Sequence, residues 1–213
     1  MLHHLDDTLE AYLRALVPLP TGDVDVSFDT PDREWGSGVT RPTINLFLWD
    51  VRRSARRGVS GLEQVEVDGR LHRRRPAPRV EFRYLVTAWA SENRDQHQLL
   101  GAVLRTVVAQ PDVPADLLRG DLAGLDPLPV VELAGTPPGG SSQGDLWSAL
   151  DGQLKAGLDL VVTMAVDIGR ATEAGPPVEE MEVATADREG AGHHSRRRAT
   201  ATVEEPAGRA AGR

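Results

Sequence analysis

The fold of this chain is decided by residues 80–108, VEFRYLVTAWASENRDQHQLLGAVLRTVV. In the first part every second side chain is apolar, which is typical of a strand in a sheet. These alternating side chains are Val80, Phe82, Tyr84, Val86 and Ala88. The second part has helical spacing, and Asn93 with Gln96 forms a capping-box pattern at its start. Its apolar face is formed by Leu99, Leu100, Val103, Leu104, Val107 and Val108. The unit contains no nucleophile, metal cluster or phosphate loop, so its pattern is that of a packing element.

Outward from this unit, the sequence predicts further strands and helices up to residue 169. Residues 43–51, TINLFLWDV, are apolar on both faces, which indicates a strand covered on both sides. Other strands are predicted at 24–28, 130–133 and 158–168, helices at 2–16 and 142–157, and a loop at 29–41. The order has no regular βαβ rhythm. It therefore predicts one α+β domain over residues 1–169, with a mixed, mainly antiparallel sheet flanked by helices.

A hairpin is predicted between the two central strands. Asp68 and Gly69 form a strong two-residue turn signal between residues 62–67 and 70–75. In that register Glu63 faces Arg74 and Gln64 faces Arg73, so an acidic strand meets a basic one. The hairpin is more than the domain needs for its own stability.

Composition limits the classes of protein to which the chain can belong. It has 213 residues, a formal net charge of −8 and no cysteine. The absence of cysteine excludes disulfides and thiolate metal sites and favours an intracellular origin. No apolar run approaches the roughly 20 residues of a membrane span. Acidic residues near the start disfavour a secretory signal. Residues 170–213 are rich in Ala, Gly, Glu, Arg and Pro, and are predicted to be a disordered tail.

Two enzymatic interpretations have simpler alternatives. His3, His4, Asp6 and Asp7 include the ligand types that zinc or manganese prefers. His3 and His4 are adjacent in a predicted helix, however, so their side chains should diverge by about 100°. The polar residues Glu92, Asp95 and His97 could act as acid and base, but they are better explained as the first turn of a helix. No metal site, cofactor site or catalytic residue is therefore predicted.

Two arginine runs, Arg73–Arg75 and Arg196–Arg198, could contact phosphates. Neither is interleaved with aromatic residues, and the net negative charge opposes attraction to nucleic acid. The first run is more simply one strand of the charge-paired hairpin, and the second is a solvated patch. The four tryptophans, at 35, 49, 89 and 147, are predicted to be core or interface anchors.

Three blocks in order carry a family resemblance: RPTINLFLWDVRRSARR, PRVEFRYLVTAWASENRDQHQLLGAVLRTVV and LWSALDGQLKAGLDLVVTMAVDI. Together they resemble the N-terminal domain of the cap protein of phage-tail-like contractile injection systems. The resemblance implies a tail-terminator-like fold that closes as a hexameric ring on the distal end of the tube and sheath. It implies no catalytic residue, no cofactor and no membrane contact. The implied place of assembly is the cytoplasm, as part of a particle that can be released.

The resemblance also selects residues. Those that fit the family pattern of the core are Tyr84, Leu85, His97, Leu99, Leu100, Trp147 and Leu150. The chain departs from many relatives after the central strand, where residues 50–53 continue into a basic stretch. With the hairpin, this stretch supplies the candidate interaction residues Arg52, Arg53, Glu63, Arg73, Arg74 and Arg75. The implied partners are further copies of the chain and the tube and sheath proteins. The alternatives are a metal-dependent hydrolase and a nucleic-acid adapter.

Overall fold

The computed structural model describes most of the first 166 residues and one short segment beyond them. The described residues are 1–19, 23–54, 63–67, 70–74, 76–135, 143–151, 154–166 and 171–173. The chain divides into two compact units. The first comprises Met1–Glu63 and Arg75–Arg170, and the second comprises Gln64–Arg74 and Ala171–Arg213.

The elements follow the predicted order closely. In chain order they are α1 (Leu2–Leu16), β1 (Asp25–Ser27), α2 (Arg33–Gly38), β2 (Thr43–Arg53), β3 (Glu63–Val67), β4 (Arg70–Arg74), β5 (Arg79–Trp89), α3 (Asn93–Ala109), β6 (Val130–Leu133), α4 (Gln143–Ala149), β7 (Gly157–Ala165) and β8 (Ala171–Glu173). Two short 3₁₀ turns, Ala115–Leu117 and Gly120–Leu122, lie between α3 and β6. Among the helices that the structure describes, none is long and apolar enough to cross a membrane.

The first unit is built on a five-stranded sheet in the order β1-β2-β5-β7-β6. Strand β1 runs parallel to β2, and the other three pairings are antiparallel. The decisive strand β5 lies in the centre, where Tyr84 has Leu48 on one side and Leu160 on the other. The predicted α+β class, with a mixed and mainly antiparallel sheet, is confirmed.

One face of this sheet forms the core with α1 and α3. Leu9 and Leu13 of α1, Val103 and Val107 of α3, and Val86 of β5 are all buried in it. Two buried tyrosines fix α1 in place, one to the end of α3 and the other to the sheet. The Tyr12 hydroxyl donates to the Gln110 carbonyl, 2.7 Å away, and the Tyr84 hydroxyl donates to the Asp6 carboxylate, 2.9 Å away. The buried hydroxyls are therefore hydrogen-bonded, as burial of a polar group requires.

The predicted loop at 29–41 contains a short helix. Asp32 precedes α2, and its side chain accepts a hydrogen bond from the Trp35 N–H, 2.8 Å away. An aspartate at this position satisfies an otherwise unpaired N–H, which explains why the helix forms in a glycine-containing segment.

The predicted capping box of α3 is wrong. Asn93 is the first residue of the helix and Glu92 precedes it, without a side-chain cap. The Gln96 side chain instead donates to the Ala90 carbonyl, 2.8 Å away. The helix begins one residue earlier than the pattern predicts, so Glu92 occupies the N-cap position and Asn93 already lies inside the helix.

Helix α4 is also shorter than predicted, since it ends at Ala149 and Gly157 begins β7. A Cβ on Gly157 would lie 3.0 Å from the Val86 carbonyl oxygen. This glycine therefore permits close approach of two strands rather than ending a helix.

The second unit contains a three-stranded sheet in the order β3-β4-β8. The two hairpin strands lie where the sequence predicts them, and β8 pairs antiparallel with β4, with Arg73 opposite Thr172. No strand was predicted after residue 169. Residues 68–69 and 174–213 lie outside the described residues, and the pairing of Glu63 with Arg74 is likewise not described. The disordered tail therefore stays a prediction.

Candidate functional site

Two of the candidate interaction residues, Arg52 and Arg53, end strand β2 and are exposed. The Arg52 Nε donates to the Asp50 carboxylate, 2.6 Å away. An exposed pair of this kind contributes about 1 kcal/mol or less to stability, so it leaves the arginine available to a partner. Arg53 ends the strand opposite Val80.

The other candidate interaction residues lie in or beside the hairpin. Arg73 is exposed in β4. The side chains of Glu63 and Arg74, and the whole of Arg75, lie outside the described part of the chain. The structure therefore places Arg73 in the second unit and Arg52 in the first, and leaves the role of these residues as a prediction.

A β-bulge in β2 decides the direction of Arg52. The register with β5 shifts between Leu48 and Asp50, so Trp49 is the extra residue. One extra residue reverses the alternation of side chains. Arg52 therefore lies opposite Glu81, on the face of the sheet that points away from the core formed with α1 and α3.

This second face of the sheet contains a buried ion pair. Arg83 is 5% exposed and forms a salt bridge with Asp159 of β7. Its guanidinium also lies 5.0 Å from the centroid of the Trp49 ring. The Arg83 Nε and the Asp159 Oδ1 find no hydrogen-bond partner among the described residues. The pair joins β5 to β7, which indicates a structural role.

The structure buries most of the residues that the resemblance selects for the core. Leu150 is half-buried at the end of α4. His97 is exposed, so its assignment to the core is wrong. The buried residues of this set are Tyr84, Leu85, Leu99, Leu100 and Trp147.

Helical geometry explains the error at His97. At 100° per residue, Leu104 and Val108 each lie within about 20° of His97 around α3. Leu104 and Val108 are 36% and 66% exposed. The buried stripe, which includes Val103 and Val107, lies beside them. The apolar side chains of α3 therefore cover a wider arc of the helix surface than the part that packs against the core.

A cleft of about 530 Å³ lies in the first unit. Its walls come from α2, the beginning of α3, the end of β5 and the segment before β7. The lining residues with polar, charged or aromatic side chains include Arg33, Trp89, Asn93, Gln96, His97 and Lys155. The sequence predicts no site here, because these residues come from four separated segments.

Trp89 forms a fixed surface in this cleft. Its Nε1 donates to the Thr87 hydroxyl, 2.9 Å away, and the Trp35 ring meets it edge to face, with 5.2 Å between ring centroids. A Cβ on Gly36 would lie 2.7 Å from the Trp89 ring. Only a residue without a side chain therefore fits beside the indole. The Lys155 Nζ lies 4.0 Å from the centroid of the ring, in a cation–π arrangement.

The cleft is suited to binding rather than to covalent chemistry. Burial lowers the pKa of Lys155 below its usual value. The hydroxyl of Ser37, another lining residue, donates to the Glu34 carbonyl, 2.8 Å away, and is not directed at His97. The cleft thus offers two cations and an aromatic face, which together can hold an anionic group.

The metal interpretation of the N-terminal residues is not supported by their contacts. Asp6 accepts the Tyr84 hydroxyl, and burial raises the pKa of Asp6 above its usual value although that hydrogen bond lowers it. The His4 Nδ1 accepts from the Asp121 N–H, 3.0 Å away. The rings of His3 and His4 nevertheless lie 3.9 Å apart, because the two side chains turn toward each other. Among the described residues, no group of three or more His, Asp or Glu side chains could hold a metal ion.

One signal for the cleft was present in the sequence. Lys155 is the only lysine of the chain. Asp32 followed by Glu34 is also a helix-start pattern, which would have predicted α2. What the sequence could not provide is the approach of these residues to Trp89 and His97, because this depends on the tertiary fold.

Comparison with known proteins identifies one matching family. The family model described as the Pvc16 N-terminal domain matches residues 2–180 of this chain. No curated protein matches the chain in sequence.

Two solved structures share the fold. The sheath/tube terminator of an extracellular contractile injection system, PVC, in its extended state, is 20% identical with a TM-score of 0.59, over 90% of this chain and 64% of that one. The anti-feeding prophage cap, a tube-terminating cap, is 20% identical with a TM-score of 0.57, over 85% of this chain and 60% of that one. This chain therefore spans less than two thirds of the length of either protein.

Proposed function

Because the chain belongs to the Pvc16 N-terminal domain family, whose model matches residues 2–180, we propose that it caps the distal end of the tube and sheath of a phage-tail-like contractile injection system. The family match carries the proposal. The fold shared with a sheath/tube terminator and a tube-terminating cap supports it. In this role the chain is a structural assembly protein without a catalytic step. Its partners are further copies of itself and the tube and sheath proteins, and assembly takes place in the cytoplasm.

Capping in this proposal has two physical requirements. The subunits close as a hexameric ring through heterologous contacts whose rotation returns to the first copy. A stable contact of this kind buries on the order of 1,600 Å². One face of the ring must match the last ring of the tube, and the opposite face must reject a further ring, so that polymerisation ends.

The proposed contacts involve the exposed ends of β2 and β4. Val51 is 49% exposed, and the neighbouring Arg52 and Arg53 are exposed as well. Arg73 is exposed in the hairpin. Arginine beside apolar surface is a composition that protein interfaces favour. These residues are not needed for the core, which supports a role in contacts with other subunits.

The first test is reconstitution with tube and sheath proteins. Native mass spectrometry of the purified full chain should detect a hexamer, alone or bound to tube and sheath subunits. Electron microscopy should show particles of uniform length when the chain is present and of variable length when it is omitted. The capping proposal fails if the chain neither binds tube or sheath subunits nor changes the length distribution.

The contact residues are tested separately. Arg53→Glu combined with Arg73→Glu should weaken ring formation and capping, and replacing residues 62–75 by a short glycine-containing turn should do the same. Arg105→Glu, an exposed change on α3, is the matched control. Circular dichroism establishes that each variant is folded. If the folded variants still cap particles of normal length, the contact assignment is wrong while the capping proposal stands.

A further inference from the structure

The cleft beside Trp89 is lined by two cationic side chains, Lys155 and Arg33. No carboxylate among the described residues lies within ion-pair distance of Lys155 or Arg33. Asp32, which also lines the cleft, uses its Oδ1 to accept from the Trp35 N–H and cap α2. The polar lining therefore has a surplus of positive charge. An unpaired and half-buried ammonium group is an incomplete arrangement, which an anion would complete.

The beginning of α3 adds to this preference. Asn93, Gln96 and His97 line the cleft, so the first turn of this 17-residue helix opens onto it. In the described structure no side chain caps this helix end. The N-terminus of a helix carries a partial positive charge and favours anions. Here the partial positive charge of the helix end adds to the full positive charges of Lys155 and Arg33.

The aromatic wall adds an apolar component. Trp89 is held by Thr87, Trp35 and Gly36, so its ring has little freedom to lose when a ligand binds. Leu154 at the rim is 70% exposed. An anionic group next to an aliphatic one would contact both kinds of surface. A cleft of about 530 Å³ has the volume of typical ligand sites and accommodates a few side chains.

We propose that this cleft binds an acidic segment of a partner protein. A glutamate or aspartate carboxylate lies between Lys155 and Arg33, and a neighbouring aliphatic side chain packs on Trp89. Nucleic acid is less suited, because the net charge of −8 repels a polyanion and the Asp32 carboxylate borders the site. The inference goes beyond the proposed function and does not depend on it, since it rests on the cleft alone.

The lowered pKa of Lys155 agrees with this arrangement. Burial disfavours the charged amine, which is the first cause of the shift. A bound carboxylate would favour the charged form and offset that effect. The Trp89 ring already contributes an attraction to the ammonium group, but a cation–π contact leaves its hydrogen-bond donors available.

The test uses a capped eight-residue peptide in which glutamate alternates with leucine, and a control peptide with glutamine in place of each glutamate. Binding to the full chain is followed by NMR at the Trp89 indole N–H and by fluorescence anisotropy. We expect the glutamate peptide to bind about tenfold more tightly than the control, and this preference to shrink with added salt. Equal binding of the two peptides, or no binding of the glutamate peptide at millimolar concentration, would overturn the inference.

Substitutions in the cleft test where the glutamate peptide binds. Lys155→Met keeps the aliphatic stem over Trp89 and should weaken the glutamate peptide about tenfold, whereas Lys155→Arg should retain most of the affinity. Arg33→Gln gives a second, independent removal of charge. Arg105→Gln is the control, because Arg105 lies about 12 Å along α3 from His97, the last residue of this helix that lines the cleft, at 1.5 Å per residue. If neither Lys155→Met nor Arg33→Gln lowers the affinity for the glutamate peptide, the peptide does not bind in this cleft and the inference is overturned. Tighter binding of a single-stranded oligonucleotide than of the peptide would replace the proposed partner with nucleic acid.

Discussion

The hydrogen bond between Tyr84 and Asp6 leads to a prediction with a clear pH signature. Tyr84 is fully buried in the central strand, and its hydroxyl lies 2.9 Å from the Asp6 carboxylate on α1. The change Tyr84→Phe removes this hydroxyl and leaves the ring in place. A hydrogen bond to a charged group contributes about 1.5–3 kcal/mol. We therefore expect Tyr84→Phe to lower the free energy of unfolding by about 2 kcal/mol at neutral pH.

Tyr12→Phe is the matched control. Tyr12 is equally buried, but its hydroxyl donates to the neutral carbonyl of Gln110. A neutral hydrogen bond of this kind contributes about 1 kcal/mol, without dependence on the ionisation of a partner. Both variants lose a buried hydroxyl, so the difference between their losses in free energy of unfolding measures the effect of the charge on Asp6.

The pH dependence follows from the pKa of Asp6. Burial raises this pKa above the usual 3.8, so the folded state binds the proton more tightly than the unfolded chain and ionisation of Asp6 costs stability at neutral pH. The Tyr84 hydroxyl lowers the pKa of Asp6 and reduces that cost. Tyr84→Phe therefore destabilises most where Asp6 is ionised, and the effect fades as the pH falls through the folded pKa.

The assay is urea unfolding followed by circular dichroism at pH 8 and at pH 4. The loss caused by Tyr84→Phe should shrink at pH 4, whereas the loss caused by Tyr12→Phe should be the same at both. If Tyr84→Phe costs no more than Tyr12→Phe at pH 8, or if its cost is independent of pH, the hydrogen bond does not stabilise the Asp6 carboxylate and the reasoning is refuted.

Two further predictions concern stability. Gly120 has φ of +54°, and a Cβ there would lie 2.3 Å from the His4 ring, so Gly120→Ala should lower the free energy of unfolding by about 3 kcal/mol. Gly124 has φ of +80° but no atom within 4 Å of a Cβ, so Gly124→Ala should lower it by only about 1 kcal/mol. Thermal and urea unfolding measure both, and equal losses would contradict the close approach of His4. Arg83→Met leaves the Asp159 carboxylate without its cation and should cost about 3 kcal/mol, while Glu10→Gln, which breaks an exposed pair with Arg14, should cost about 0.5 kcal/mol or less. A loss at Arg83 as small as that at Glu10 would show that the pair is not effectively buried.

The sequence was sufficient for the elements that depend on local periodicity. Strand β5 and helix α3 begin and end within a residue or two of the predicted bounds, because alternation and helical spacing follow directly from which face is buried. Helix α1 is correct for the same reason. The order of the elements predicted the α+β class, and the family resemblance added the expectation of a tail-terminator-like fold.

Other features depend on tertiary contacts that periodicity does not contain. The exposure of Leu104 and Val108 depends on how α3 is rotated on the sheet, and the bulge at Trp49 depends on pairing with β5. The cleft depends on four segments meeting at Trp89. Strand β8 has three residues and no apolar alternation, so only its pairing partner β4 reveals it.

Strand β8 affects how a shortened protein should be designed and interpreted. A chain cut after residue 169 loses β8 and exposes the unpaired N–H and C=O groups of β4, the kind of sheet edge that recruits strands from other molecules. Such a protein would form aggregates by edge-to-edge pairing, which could be mistaken for ring closure. A chain that ends at Glu173 keeps this edge covered by a short strand. An oligomer formed by that protein reports on the contact surfaces of the folded chain rather than on an exposed edge of β4.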